Sequence, residues 1–159
     1  MLNNKAEGEM LDHENKMMTK FKDEREARKG KSKQVIVMRT DLNMRKGKMI
    51  AQGSHASLKA ILDAMINLPA EKESTLYYGE NEAMEDWING QFTKICVQVK
   101  SEDELQSIYN KAKEAGLICS LITDVGHTEF GGVPTKTCCA IGPCWSDEVD
   151  NITGGLSLL

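Results

Sequence analysis

Residues 33–59 read KQVIVMRTDLNMRKGKMIAQGSHASLK, an apolar strand, a charged loop and the head of a helix in one stretch. Val35, Ile36, Val37 and Met38 form a short, mostly β-branched run that suits a buried strand. Arg39, Asp41 and Asn43 break that run and carry turn chemistry. Gly47 then precedes a stretch expected to be helical from Lys48 to about Met65. On that helix Lys48, Gln52, His55 and Lys59 follow i, i+4, i+7, i+11 spacing and share one stripe. Met49, Gly53, Ala56 and Ala60 lie on another face, where small side chains let a helix approach a sheet closely. The stretch thus sets a polar, partly cationic stripe at the exit of a strand, where open α/β sheets place their binding sites.

Outward from this stretch, the chain alternates in the same manner. Glu82–Asn89 reads as a short amphipathic helix with Ala83, Met84, Trp87 and Ile88 inward, stopped by Gly90. Phe92–Val99 reads as a second strand. Ser101 with Glu104 is a capping box opening a helix that carries Leu105, Ile108, Tyr109, Ala112 and Ala115 and ends at Gly116. Leu117–Ile122 is a third strand, Asp124–Pro134 a glycine-rich loop and Lys136–Ile141 a fourth strand, stopped by Gly142 and Pro143. A last helix is expected around Val149, ending at Gly154–Gly155, with Leu156, Leu158 and Leu159 packing on the body. Asn67, Leu68 and Pro69 end the long helix, and 70–80 reads as an exposed polar connection. The order β-α-α-β-α-β-β-α predicts parallel pairs across the helical crossovers and an antiparallel or widely offset pair for strands three and four. The expected architecture is α/β: a three-layer α/β/α sandwich around a four-stranded mixed sheet, formed by residues 33–159. Residues 1–32 read as a charged extension, helical or frayed, with too few apolar residues to bury much.

The net charge is −4, with 20 Lys and Arg against 24 Asp and Glu, which argues weakly against nonspecific nucleic-acid binding. The distribution matters more. From Arg28 to Lys48 the chain carries Arg28, Lys29, Lys31, Lys33, Arg39, Arg45, Lys46 and Lys48 against the single acid Asp41. Such a run can hold a phosphate backbone or can be a solvated basic linker. Five cysteines, an odd number without a CxxC pair, argue against a disulfide framework and a zinc site. Several lie in apolar runs, as small buried hydrophobes in a reducing compartment do, so a cytoplasmic protein is expected. No run is apolar enough for a membrane span, and the N-terminus lacks a signal-peptide core.

If the first and third strands are parallel, their carboxyl ends share one sheet edge. That edge gathers Lys48 and His55 with Asp124 and Thr128, and an antiparallel fourth strand returns Thr135 and Thr137 to it. An ammonium, a carboxylate, an imidazole and several hydroxyls suit hydrolysis of an activated ester. Asp124 would orient or deprotonate a water, and Lys48 would bind a phosphate or stabilise an oxyanion. Each residue also has a plainer reading: Lys48 as a solvated helix start, Asp124 as a turn former, His55 as a packed histidine, Thr128 and Thr137 as ordinary loop and strand residues. Spacing alone leaves a hydrolase, a phosphate-binding module and a plain α/β scaffold open, since no P-loop, GxGxxG, GxSxG or metal spacing is present.

The blocks QVIVMRTDLNMRKGKMIAQGSHA (34–56), TDVGHTEFGGVPTKTCCAIGP (123–143) and TGGLSLL (153–159) together resemble the peptidyl-tRNA hydrolase type 2 family of archaea and eukaryotes. The resemblance implies an α/β sandwich, usually dimeric, that cleaves the ester joining a peptide to tRNA without a metal or organic cofactor. It implies Lys48, His55, Asp124, Thr128 and Thr137 as site residues. It places peptidyl-tRNA against the basic stretch, with Lys33, Arg39, Arg45, Lys46 and Gln52 as the tRNA-binding candidates. The chain departs from the family at Val125, where alanine is common, and at Glu129 and Phe130, where Gln-Ile is common. Its 131–136 loop is one residue longer than in eukaryotic members, which leaves Thr135 as an alternative to Thr137. A non-catalytic tRNA- or protein-binding adaptor on the same fold is the competing expectation.

Overall fold

Strand β1 (Ser32–Arg39) is the spine of the molecule, and all but one of its residues are buried. The structure, a computed structural model, describes residues 3–65 and 81–159. The expected helix end at Asn67–Pro69 and the polar connection at 70–80 lie outside the described residues. The chain divides into two compact units, Met1–Gly30 and Lys31–Leu159. The first holds helix α1 (Asn3–Arg28). The second holds, after β1, helices α2 (Lys46–Met65) and α3 (Glu82–Asn89), strand β2 (Lys94–Val99), helix α4 (Glu102–Glu114), strands β3 (Cys119–Asp124) and β4 (Thr135–Trp145), and helix α5 (Ser146–Thr153).

The sheet runs β2-β1-β4-β3. β1 is parallel to β2 and antiparallel to β4, and β4 is antiparallel to β3, so β1 and β3 end on the same edge. Both faces are covered, and β1 shows it residue by residue. Val35 and Val37 join Leu105, Ile108 and Val149 under α4 and α5. Ile36 and Met38 join Ala56 and Ala60 under α2. Period-two alternation with apolar residues on both sides is what a central strand requires. The small face of α2 settles on the sheet as its composition predicts: Ala56 and Ala60 are fully buried. At Gly53 an added Cβ would stand 3.7 Å from Ile36 Cγ2, an ordinary contact. Half of the Ser101–Glu104 capping box forms: the Glu104 N–H donates to Ser101 Oγ at 3.1 Å, while the Glu104 carboxylate accepts the Lys100 N–H at 2.7 Å.

Several expected bounds need correction: β2 begins at Lys94 and not Phe92, and β3 spans Cys119–Asp124, two residues later than read, so Asp124 belongs to the strand and not the loop. β1 extends to Ser32 and Arg39, so Arg39 closes the strand instead of breaking it. α2 begins at Lys46, two residues early, because the Arg45 carbonyl already accepts the Met49 N–H at 3.0 Å. β4 runs through Gly142 and Pro143 to Trp145. The register between β1 and β4 shifts between Lys33 and Val35, so Gly142–Pro143 sits in a bulge, one of the few places a sheet admits proline. Gly142 has φ +93, and a Cβ there would come within 2.6 Å of the Lys33 carbonyl oxygen.

The C-terminal segment seals the outer edge of β2. The Gln98 N–H donates to Ser157 O at 3.0 Å and the Leu159 N–H to Cys96 O at 3.1 Å, covering strand groups that would otherwise recruit another chain. No helix among the described residues is long and apolar enough to cross a membrane.

Candidate active site

The shared carboxyl edge of β1 and β3 carries a tight polar cluster. Asp124 is the last residue of β3 and Lys48 lies in the first turn of α2. Lys48 Nζ donates to Asp124 Oδ2 at 2.5 Å, and Gln52 Nε2, one turn further along α2, donates to the same oxygen at 2.8 Å. Asp124 Oδ1 accepts the Gly126 N–H at 2.9 Å, the turn bond that an aspartate makes two residues on. Lys48 and Asp124 are each 12% exposed, so the pair is only partly screened by water. The Lys48 ammonium, with the Gly126 N–H and the Gln52 amide behind it, holds the Asp124 carboxyl below its ordinary value of 3.8 against the opposing effect of burial.

Thr137 reaches this cluster by an irregularity of the sheet. Ile122 pairs with Cys138 but Thr123 pairs with Lys136, which leaves Thr137 as the extra residue of a bulge. A bulge re-aims its side chain. Thr137, fully buried, donates from Oγ1 to Gln52 Oε1 at 2.5 Å. Gln52 is therefore a bridge, fixed at one end by Thr137 and at the other holding Asp124. Thr135 instead donates to Val133 O at 2.9 Å, so Thr137 is the threonine of the cluster.

The β3–β4 loop folds over the start of α2. Thr128 Oγ1 accepts from Lys48 Nζ at 3.2 Å, and Phe130 presents its ring 5.6 Å from that nitrogen. Glu129 pairs with Arg45 at 2.6 Å. Gly126 makes the loop possible: its φ is +87, and a Cβ there would run into the Val133 carbonyl.

The remaining candidates divide. His55 is exposed on α2 and its ring makes no hydrogen bond among the described residues, so the structure does not bring it into the cluster. The linear run of bases does not form one patch. Lys33, at the far end of β1, pairs with Asp150 of α5 at 2.7 Å. Arg39 is 8% exposed, and its guanidinium is spent on Asp41, Glu102 and the Lys136 carbonyl. Arg45 and Lys46 are exposed beside Lys48 at the α2 start. Gln52, expected to touch tRNA, is 2% exposed and belongs to the interior of the site. Cys138 and Cys139 are buried, and burial pushes the Cys138 thiol up to about 12, so neither is poised as a nucleophile. Among the described residues, no three His, Cys, Asp or Glu side chains gather as a metal would need.

Residues 32–159 match the family model described as "Peptidyl-tRNA hydrolase PTH2". The chain is 45% identical over 127 residues to a protein of Methanocaldococcus jannaschii named peptidyl-tRNA hydrolase, covering 80% of this chain and 99% of that one. It is 41% identical over 127 residues to the Sulfolobus acidocaldarius protein of the same name, again over 80% of this chain and 99% of the relative. A Dictyostelium discoideum protein named probable peptidyl-tRNA hydrolase 2 is 40% identical over 129 residues, 81% of this chain and 55% of that longer one. A single family thus spans the whole sheet, both covering layers and every residue of the cluster, and the chain belongs to the peptidyl-tRNA hydrolase PTH2 family.

Proposed function

We propose that the chain is an enzyme that hydrolyses the ester between a peptide, or an N-blocked aminoacyl group, and tRNA. The observation that carries this reading is the Lys48–Asp124–Gln52 cluster on the carboxyl edge of the sheet. Family membership supplies the substrate class.

The chemistry follows from counting donors and acceptors. A lysine ammonium has three N–H donors, and Lys48 uses two, on Asp124 and Thr128. The third is available to a substrate phosphate or to the oxyanion that develops on the ester carbonyl. A carboxylate has about four acceptor positions, and three on Asp124 are filled by Lys48, Gln52 and Gly126. The remaining position, on Oδ1, accepts a hydrogen from the attacking water. A carboxylate held below its ordinary pKa is a weak base, so Asp124 orients that water more than it deprotonates it. Water oxygen bonds to the ester carbon, the bond to the terminal ribose oxygen breaks, and that oxygen leaves with a proton as a hydroxyl. The products are a peptide carboxylate, free tRNA and one proton released to solvent. An ester needs no stronger nucleophile.

The Thr128 hydroxyl, exposed beside Lys48, positions the substrate. Thr137 acts through Gln52 and does not touch tRNA. Arg45 and Lys46 are the backbone-phosphate contacts, while Lys33 and Arg39 serve structure. His55 has no step in this scheme.

The reading includes a homodimer and a cytoplasmic setting. An apolar groove of about 870 Å³ beside α2, with Ile50, Leu58 and Phe92 exposed around it, supports a dimer contact. Free thiols at Cys96, Cys119, Cys138, Cys139 and Cys144 suit a reducing compartment. Light scattering on the purified chain reads the assembly.

The deciding assay is release of tRNA from N-acetyl-aminoacyl-tRNA by the purified full chain. Catalytic turnover is expected. Tight, salt-sensitive tRNA binding without ester cleavage would establish the adaptor instead.

A further inference from the structure

We propose that Glu129 is a substrate-operated latch: its carboxylate holds Arg45 and the β3–β4 loop in place until a tRNA phosphate takes Arg45 over. This rests on the hydrolase reading above, and within it on Arg45 as a phosphate contact.

Arg45 is the N-cap of α2, since its carbonyl accepts the Met49 N–H. That position ordinarily holds Ser, Thr, Asp or Asn, whose side chain supplies an oxygen to the helix start. Arginine has none. The loop across the cleft supplies oxygens to the N-cap residue itself and not to the first-turn N–H groups: Glu129 Oε2 accepts the Arg45 N–H at 3.3 Å, and Oε1 accepts Arg45 Nε–H at 2.6 Å. The Glu129 side chain is 14% exposed and that of Arg45 is 79% exposed. The carboxylate is thus tucked beneath a guanidinium whose outer face is in water.

Only the Nε edge of Arg45 is engaged. Its two terminal nitrogens make no hydrogen bond among the described residues, and they offer the planar fork that phosphate prefers. A phosphate therefore lands on Arg45 before Glu129 leaves. The bidentate grip through Nε and Nη2, the one Arg39 makes on Asp41, then takes the Nε–H from Glu129, with Lys46 and Lys48 adding to the pull on the phosphate.

The consequence is local. The loop is fastened to the α2 start by Thr128 on Lys48, Phe130 over Lys48 and Glu129 on Arg45. Glu129 makes the only ion pair of the three. Its release loosens the segment that touches Lys48 through Thr128 and Phe130. Arrival of the tRNA backbone and access to the ester-cleaving pair become one event.

The test compares E129Q and E129A with the wild type, using deacylated tRNA for binding and N-acetyl-aminoacyl-tRNA for kcat and KM. Both variants are expected to bind deacylated tRNA about three- to fivefold more tightly at low salt, the size of one exposed charge interaction. KM falls by the same factor. In an R45A background the E129Q substitution is expected to leave tRNA affinity unchanged. Unchanged or weaker tRNA binding in both variants overturns the latch and leaves Glu129 a helix cap. An equal gain with Arg45 absent overturns it as well. If the wild type cleaves no ester, the hydrolase reading falls, while the deacylated tRNA titration still decides the latch.

Discussion

Replacing Thr137 with valine removes one hydroxyl and keeps the shape of the side chain. Thr137 is fully buried, and its hydroxyl is the partner of the Gln52 carbonyl oxygen at 2.5 Å. In Thr137→Val that oxygen is left without a donor in a dry place, which costs about 1–3 kcal/mol. For a chain of this size the midpoint of thermal unfolding falls by roughly 3–10 °C. The catalytic effect travels one bond further. With one end free, the Gln52 amide no longer fixes Asp124, and kcat drops about ten- to hundredfold, a loss of roughly 1.4–2.8 kcal/mol in the barrier. KM stays at the wild-type value, because no atom of Thr137 is open to tRNA. Thr137→Ser restores the donor and recovers kcat. The assays are thermal unfolding by circular dichroism and steady-state hydrolysis of N-acetyl-aminoacyl-tRNA. A valine variant with unaltered stability and unaltered kcat refutes the bridge. A variant that changes KM alone refutes it differently, since it puts Thr137 in contact with substrate.

Arg39→Gln should destabilise the fold by about 1–3 kcal/mol in urea unfolding, since the forked bonds to Asp41 and Glu102 are lost, yet leave affinity for deacylated tRNA unchanged. A loss of tRNA affinity with full stability would restore Arg39 to the phosphate contacts. Stability should also depend on acid. The Asp124 and Asp41 carboxyls are held below 3.8 by Lys48 and Arg39, so the unfolded chain binds their protons first. The stability they contribute is present above the unfolded pKa, near 4, and is lost as pH falls through the lower folded values. Urea midpoints from pH 6 down to pH 3 should therefore decline mainly below about 4, and Asp124→Asn should remove part of that decline. A midpoint independent of pH in this range contradicts the pairing.

Much of this site was legible in the residues. The β-branched run at 35–38, the small face of α2 and the capping box at Ser101 decide the layers, because each obeys a local period or a local hydrogen bond. With strand directions in place, Lys48 and Asp124 had to share an edge. What stayed hidden depended on contacts between distant segments. Arg39 looks like a solvated base until Glu102, far along the chain, is seen to fold onto it. Thr137 cannot be assigned a direction by alternation, since the bulge that turns it toward Gln52 is a property of two strands together. Gly142–Pro143 reads as a strand stop for the same reason, because a bulge absorbs what a regular ladder rejects. Gln52 carried a signal, four residues after Lys48 on one stripe, but the stripe could not tell a buried bridge from a surface contact.

The proposed chemistry requires the Lys48 ammonium and the Asp124 carboxylate to act together on the ester. The most direct measurement is single-turnover cleavage of N-acetyl-aminoacyl-tRNA by Asp124→Asn at saturating enzyme, beside its affinity for deacylated tRNA. A rate lower by about 10²–10⁴ is expected, with tRNA binding intact. Wild-type cleavage by the asparagine variant would contradict it.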